Sequence, residues 1–187
     1  MTGESASERW FPMVRLPDAD DIARLQAIEA SADKLVPFSV HPEWPQAAPG
    51  QARMAAPGLL FVIGEPAVGF VHVLDLGEGH WHLEQLSVAR DQAGQGMGRA
   101  LLRAAIAVAS GLGGSEMTLM TFADLPFNAP FYATEGFLPV TDTREGLRGF
   151  VEAEARLGMS RWGPRVAMSR VLGAEPSSEL SSDNNPV

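Results

Sequence analysis

Three places in the sequence hold residues whose types and spacing suit chemistry. The first is the segment from Val88 to Arg99, where Gly94, Gly96 and Gly98 alternate with Gln95 and Met97. Alternating glycines leave a turn without side-chain walls and permit positive φ, so successive N–H groups can point into one concavity. A helix starting just behind it adds unpaired N–H groups and the positive end of its dipole. Together these make an anion site suited to a pyrophosphate. Arg99 and Arg103 lie one helical turn apart and can share a face near it. The second place is His80, His82 and Glu84, spaced to share one face of a strand if no bulge intervenes. An imidazole or carboxylate there can take a proton as a general base. The same alternation also suits a solvated strand face or three metal ligands. The gap between the second His and the Glu is short for a cupin-like metal site, and no metal is expected. The third is Tyr132, the only tyrosine in the chain, whose phenol can donate a proton or sit half-buried with its hydroxyl satisfied.

The glycine turn has rivals. A P-loop is excluded, because the Gly-Lys-Ser/Thr ending is missing and Lys34 is the only lysine. A dinucleotide fingerprint needs a third glycine where Arg99 stands. A purely structural turn stays open on this segment alone.

These residues need elements to position them. Trp10 to Leu16 reads as a first strand, stopped by Pro17 and Asp18. Asp18 or Asp20 can cap a helix with Ile22, Leu25 and Ile28 at helical spacing. Residues 37–58 hold Pro37, Pro42, Pro45, Pro49 and Pro57, leaving room only for a short helix between Glu43 and Met54. Leu59 to Ile63 and Ala67 to Leu74 form a hairpin around Gly64 and Pro66. His80 to Val88 is a strand, and Arg99 to Ser110 a helix ended by Gly111. Then come a strand over Glu116 to Thr121, a short helix over Asn128 to Glu135 closed by Gly136, and a strand over Leu138 to Val140. A helix over Leu147 to Leu157 and a strand over Arg165 to Leu172 end the body. This order predicts one α/β (α+β) domain over residues 10–173 with a mixed central sheet of six to seven strands flanked by helices. Residues 1–9 and 174–187 read as a flexible N-terminal and a disordered acidic C-terminal tail.

Composition narrows the partners. The net charge of −9 argues against nucleic acid, which needs clustered positive charge. It suits a cationic substrate such as an amine and equally suits simple solubility. No apolar run reaches the length of a membrane span, and the N-terminus lacks the order of a signal peptide. With no cysteine, a thioester enzyme intermediate is impossible and a reducing, cytoplasmic location is the expectation. Either a monomer or a homodimer is compatible with all of this.

The glycine segment resembles motif A of the GNAT superfamily of acetyltransferases, Gln/Arg-x-x-Gly-x-Gly/Ala. Gly96 and Gly98 occupy its small positions, and Ala93 stands where the family has Gln or Arg, with Gln92 one residue earlier. Asn128 to Phe137 is similar to a second signature, Asn-x-x-Ala-x-x-Phe-Tyr-x-x-x-Gly-Phe, through Phe131, Tyr132, Gly136 and Phe137. The resemblance is sharp over residues 82–102 and 128–137 and coarse elsewhere.

The resemblance implies a sheet splayed at its middle, with acetyl-CoA as co-substrate and a primary amine as acceptor. The pantetheine would lie along the backbone of Leu86, Ser87 and Val88, one of whose N–H groups would stabilise the oxyanion. The pyrophosphate would meet Ala93, Gly94, Gln95, Gly96, Met97, Gly98 and Arg99, with Asn128 and Phe131 also on the cofactor. Tyr132 would protonate the leaving thiolate, and Glu84, or His82 second, would be the base. The helix before the last strand, and Pro164 to Met168 after it, resemble bacterial small-molecule members, with residues 37–58 and 141–164 framing the acceptor entrance. Two alternatives stay open: a GNAT-fold module that binds acyl-CoA without transfer, and an enzyme acting on protein N-termini or lysines.

Overall fold

The structure, a computed structural model, describes residues 13–141 and 145–173. The expected tails, residues 10–12 of the first strand, and Arg144 lie outside the described residues.

The chain runs β1 (Val14–Arg15), α1 (Ala19–Asp33), α2 (Gly50–Ala55), β2 (Gly58–Ile63), β3 (Gly69–Asp75), β4 (His80–Val88), α3 (Met97–Gly111), β5 (Glu116–Phe122), α4 (Ala129–Thr134), β6 (Leu138–Val140), α5 (Arg148–Arg156) and β7 (Arg165–Val171). One sheet takes the order β1-β2-β3-β4-β5-β7-β6. Every neighbouring pair is antiparallel except β4–β5, which is parallel. The fold is thus the single mixed α/β domain expected, with seven strands. Among the described residues no helix is long and apolar enough to cross a membrane.

Two helices cover opposite faces of the sheet. Leu101, Leu102, Ala105, Ile106 and Ala109 fall at helical spacing on α3 and are buried with Val71, Val73, Trp81, Leu83, Met117 and Leu119. On the other face, Leu25 and Ile28 of α1 pack on Leu60, Val62 and Phe70. Burial of such side chains contributes roughly 1.5–3 kcal/mol each and fixes which side of each strand faces which helix.

The start of α1 is pinned by charge. Asp18, not Asp20, is the cap: its Oδ1 accepts from Asp21 N–H (2.9 Å), and the Asp21 carboxylate accepts from Asp18 N–H (3.0 Å). Asp21 is also paired with Arg15 of β1 and accepts from Ala67 N–H before β3. The Arg15 hydrogen bond, against the cost of burial, brings the Asp21 carboxyl down to about 2. One buried carboxylate therefore ties the helix that carries Glu29 and Asp33 to the sheet that carries the site.

Asp21→Asn should lower stability by about 1–3 kcal/mol in urea unfolding near neutral pH. Its carboxyl is depressed in the folded state, so the advantage of wild type is fully present above pH ~4 and fades as pH falls towards 2. A gap between the two proteins that does not narrow over that range would contradict the assignment.

Candidate active site

The site begins where two strands part. β4 and β5 are paired only from His80 to Leu83 against Glu116 to Leu119. Beyond Leu83 the β4 edge leaves β5 and lines a groove of about 530 Å³. On its other side β4 stays paired with β3 up to Val88, but the register slips by one residue at Glu84. Glu84 is thus the extra residue of a bulge. The bulge reverses the alternation beyond Glu84, so the face that carries His82 is not continued by Leu86 and Val88. Leu86 and Val88 pack on the α3 side with Trp81 and Leu83, whereas Gln85 and Ser87 stand opposite His72 and Phe70. The sequence carries the signal, because Glu84 and Gln85 are two polar residues in a row within an otherwise alternating strand. Ala89 N–H donates to Val68 O (2.8 Å). By antiparallel alternation, the N–H and C=O groups of Leu86 and Val88 then point away from β3, into the groove.

At the end of this edge lies the glycine turn. Gly94 (φ 79°) and Gly96 (φ 84°) are in the left-handed region, and Gly96 caps α3. A Cβ on either would meet nothing within 4 Å, so the requirement for glycine here is conformational. The N–H groups of residues 94 through 99 donate to no acceptor among the described residues, and the first helical bond is Ala100 N–H to Gly96 O (3.0 Å). Gly94, Gly96, Met97, Gly98 and Ala93 line the groove; Gln95 does not, and Gln92 does. Ala93 spends its N–H on Arg90 O (3.3 Å). The Arg99 guanidinium is committed to α4: Nε pairs with Glu135 (2.6 Å) and Nη2 donates to Thr134 Oγ1 (3.1 Å). Arg103 reaches the same buried Glu135 (2.8 Å), so the two arginines do share a face, but they dock α3 on α4.

α4 closes the far side of the groove. Gly136 (φ 81°) turns the chain so that Phe137 N–H reaches back to Tyr132 O (3.1 Å), and the Phe137 ring is fully buried. Tyr132 packs edge-on against Phe131 and Phe137. Its hydroxyl has no hydrogen-bond partner among the described residues, and it lines the groove. Burial holds the phenol well above its usual pKa, with the Arg165 charge opposing, so it keeps its proton. The Asn128 side chain makes no capping bond and stands free on the groove wall.

Adjoining the groove, and sharing Glu84 and Gln85 with it, is a second cavity of about 300 Å³. Glu84 lies at the junction. Its Oε2 is held by Arg53 of α2 and by His72 Nδ1 of β3 (3.1 Å). Burial disfavours ionisation, but the His72 bond and the Arg53 charge outweigh it and keep the carboxyl below its usual range. Arg53 Nη2 also pairs with Glu29 of α1 (2.5 Å), whose carboxyl burial pushes up to about 7. His82 lines this cavity and not the groove. Its ring stacks on Phe150 (3.6 Å between centroids), and Nδ1 lies 2.9 Å from Thr118 Oγ1. Thr118 gives its own hydroxyl proton to Trp81 O (3.2 Å), so the imidazole donates through Nδ1 and keeps its lone pair on Nε2. Burial brings His82 down to about 4 and keeps it neutral. His80 is exposed, so His80, His82 and Glu84 do not converge as metal ligands would.

Residues of two separate segments, 44–46 and 150–159, line this cavity. Trp44, Pro45 and Gln46 line one side, and Phe150, Ala153 and Glu154 the other. Phe38 stacks on Trp162 (5.9 Å), and Arg161 pairs with Glu43 (2.7 Å), joining the two segments. Arg53, Glu29, Thr118 and the Arg165–Glu154 pair escape sequence reasoning, since their partners lie in other elements and no local motif marks them.

Residues 23–137 match the model of the acetyltransferase (GNAT) family, which is more than half of the chain. The chain belongs to the GNAT acetyltransferase family. Solved structures agree in fold. The ribosomal-protein-S18-alanine N-acetyltransferase of Escherichia coli superposes with a TM-score of 0.63 at 16% identity, covering 89% of this chain and 97% of that one. A GNAT acetyltransferase of Staphylococcus aureus Mu50 gives 0.64 at 14% identity, covering 86% and 98%. The PaiA N-acetyltransferase of Thermoplasma acidophilum, solved with coenzyme A, gives 0.60 at 13% identity, covering 85% and 98%. Membership places this chain among acetyltransferases. The glycine turn and the short helix carrying Tyr132 hold the two signatures in this GNAT protein's sequence.

The glycines of this turn should differ in a stability test on the free protein. Gly96→Ala places a side chain at left-handed φ and should cost about 1–2 kcal/mol. Gly98→Ala sits in helical backbone with its Cβ 3.8 Å from Val88 Cγ2 and should be neutral or slightly stabilising. Equal costs in chemical denaturation would overturn the conformational reading.

Proposed function

We propose that the protein moves an acetyl group from acetyl-CoA to the primary amine of a small molecule. The observation that carries this reading is a continuous path. Free N–H groups at residues 94–99 lead along the open β4 edge to Tyr132, and from there to a cavity with carboxylates on its wall.

The groups present fit acetyl-CoA. Unpaired main-chain N–H groups at a helix start suit a pyrophosphate, and Arg99 adds its own N–H together with a half-exposed guanidinium of which Nε and Nη2 are bonded to Glu135 and Thr134. The outward N–H groups of Leu86 and Val88 suit strand-like pairing with pantetheine amides, and one of them suits the developing oxyanion. Asn128 and Phe131 stand on the facing wall. Acetyl-CoA supplies the thioester carbonyl and the leaving thiolate.

The chain's own residues then handle the protons. Tyr132 keeps its proton at neutral pH and can give it to sulfur. Glu84 presents Oε1, which has no partner among the described residues, and we assign it as the acceptor of the amine proton. His82, with its lone pair on Nε2, is the second proton acceptor on the same cavity. The Arg161–Glu43 bridge and the Phe38–Trp162 stack join the two segments whose residues line the cavity, and its volume of about 300 Å³ supports a small acceptor over a protein chain. Four carboxylates, Glu29, Asp33, Glu84 and Glu154, line the cavity against the two arginines Arg53 and Arg165 that pair with three of them, a balance that favours a cationic acceptor.

Tyr132→Phe removes a hydroxyl with no structural partner, so unfolding stability should change by less than about 0.5 kcal/mol. Release of free thiol from acetyl-CoA over a panel of small amines should fall roughly 10²-fold or more, with acetyl-CoA affinity kept. Equal turnover by the variant would remove the general-acid role. Acetylation of peptide N-termini with no small amine accepted would replace the small-molecule reading.

A further inference from the structure

Glu84 sits at an awkward place for a working carboxylate. It is the bulged residue of β4, without a cross-strand partner on β3 to fix it. Its side chain is one-third exposed (35%) at the mouth of the acceptor cavity. A carboxylate on an irregular edge has several rotamers, and a proton acceptor in the wrong one is misplaced by an ångström or more.

We propose that Arg53 is a positioning residue for the transfer, which clamps one oxygen of Glu84 and so presents the other to the acceptor amine. The proposal rests on Glu84 being the proton acceptor. Its warrant is geometric. Arg53 is buried (4%) although it comes from the short helix α2 in the proline-rich segment. Its Nη2 is fixed by Glu29 from α1, its guanidinium lies over the Phe70 ring (5.3 Å), and its Nη1 grips Glu84 Oε2. His72 Nδ1 holds the same oxygen from β3. A buried arginine bonded to two carboxylates from different elements has one low-energy pose, and that pose is transmitted to Glu84. Oε1 is left without a partner among the described residues, on a side chain that lines both the groove and the cavity.

The groups facing Glu84 are Glu29 and Asp33 from α1, Arg53 from α2, His72 from β3, His82 on β4 itself and the Glu154–Arg165 pair from α5 and β7. Among these, Arg53 is the fixed cation bonded to Glu84. Removing it withdraws the charge that favours the carboxylate, so the pKa of Glu84 rises and the acidic limb of the rate profile moves to higher pH.

The test is a double-mutant cycle with Arg53→Met and Glu84→Gln, read as kcat, KM for each substrate, and the pH profile of kcat/KM. Arg53→Met in the wild-type background should lower kcat about tenfold or more, leave KM for acetyl-CoA unchanged and shift the acidic limb upward. In the Glu84→Gln background the same change should have less than about a twofold effect, since an arginine acting through Glu84 has nothing left to position. Equal losses in both backgrounds, or an acidic limb that stays in place, would overturn the proposal. Full activity of Glu84→Gln alone would instead remove Glu84 as base, and the proposal with it. Should Arg53→Met fail to fold, Arg53→Lys keeps the charge but cannot bridge both carboxylates, and it should show the same dependence on Glu84 with a smaller limb shift.

Discussion

β4 and β5 stay hydrogen-bonded for only four residue pairs, from His80–Glu116 to Leu83–Leu119, and the site depends on their parting there. Parallel neighbours at the middle of a sheet normally satisfy each other along their length. Here the β4 edge from Glu84 to Val88 turns main-chain N–H and C=O groups towards a groove. Such groups are costly to leave without a partner in a water-poor place, which makes the groove a receptor for an extended, amide-bearing ligand. The bulge at Glu84 coincides with the parting. It rotates the strand so that Leu86 and Val88 anchor on α3 while Glu84 moves to the rim.

Two further constraints extend from that break. The chain leaving Val88 must reverse into α3, and it does so through Gly94 and Gly96 at left-handed φ, leaving a run of unpaired N–H groups at the groove's end. α4 must then be held against α3 to form the other wall. Arg99 and Arg103 both reach the buried Glu135 carboxylate for that purpose, and Phe137 fills the space beneath. Two nitrogens of Arg99 are thus spent on architecture, while the main-chain N–H groups beside it stay without acceptors among the described residues. On the acceptor side, the α1 and α2 network of Glu29 and Arg53 reaches Glu84 from behind.

Much of this was legible in the sequence and some was not. β4 and β6 have the residue limits read from the sequence, β4 starting directly after Gly79 and β6 two residues after Gly136. The glycine turn and Tyr132 were legible because each motif is local: a positive φ, an N–H cradle or a helix closed by Gly136 is written within ten residues. The shared strand face was conditional on the absence of a bulge, and the place of the bulge is marked by Glu84 and Gln85, two polar residues in succession. Arg53 could not be found. Its partners lie 24 and 31 residues away, on a helix and a strand whose packing only the fold decides. For the same reason the tautomer of His82 needed Thr118, a residue of the neighbouring strand.

The central claim is that an open main-chain edge and a glycine-capped helix start together receive acetyl-CoA. Titration of ¹⁵N-labelled protein with acetyl-CoA, followed through backbone amide resonances, tests it most directly. The account predicts saturable shifts concentrated at Leu86, Val88 and residues 94–99. Saturable binding that leaves those amides unmoved, or no binding at all, would contradict it.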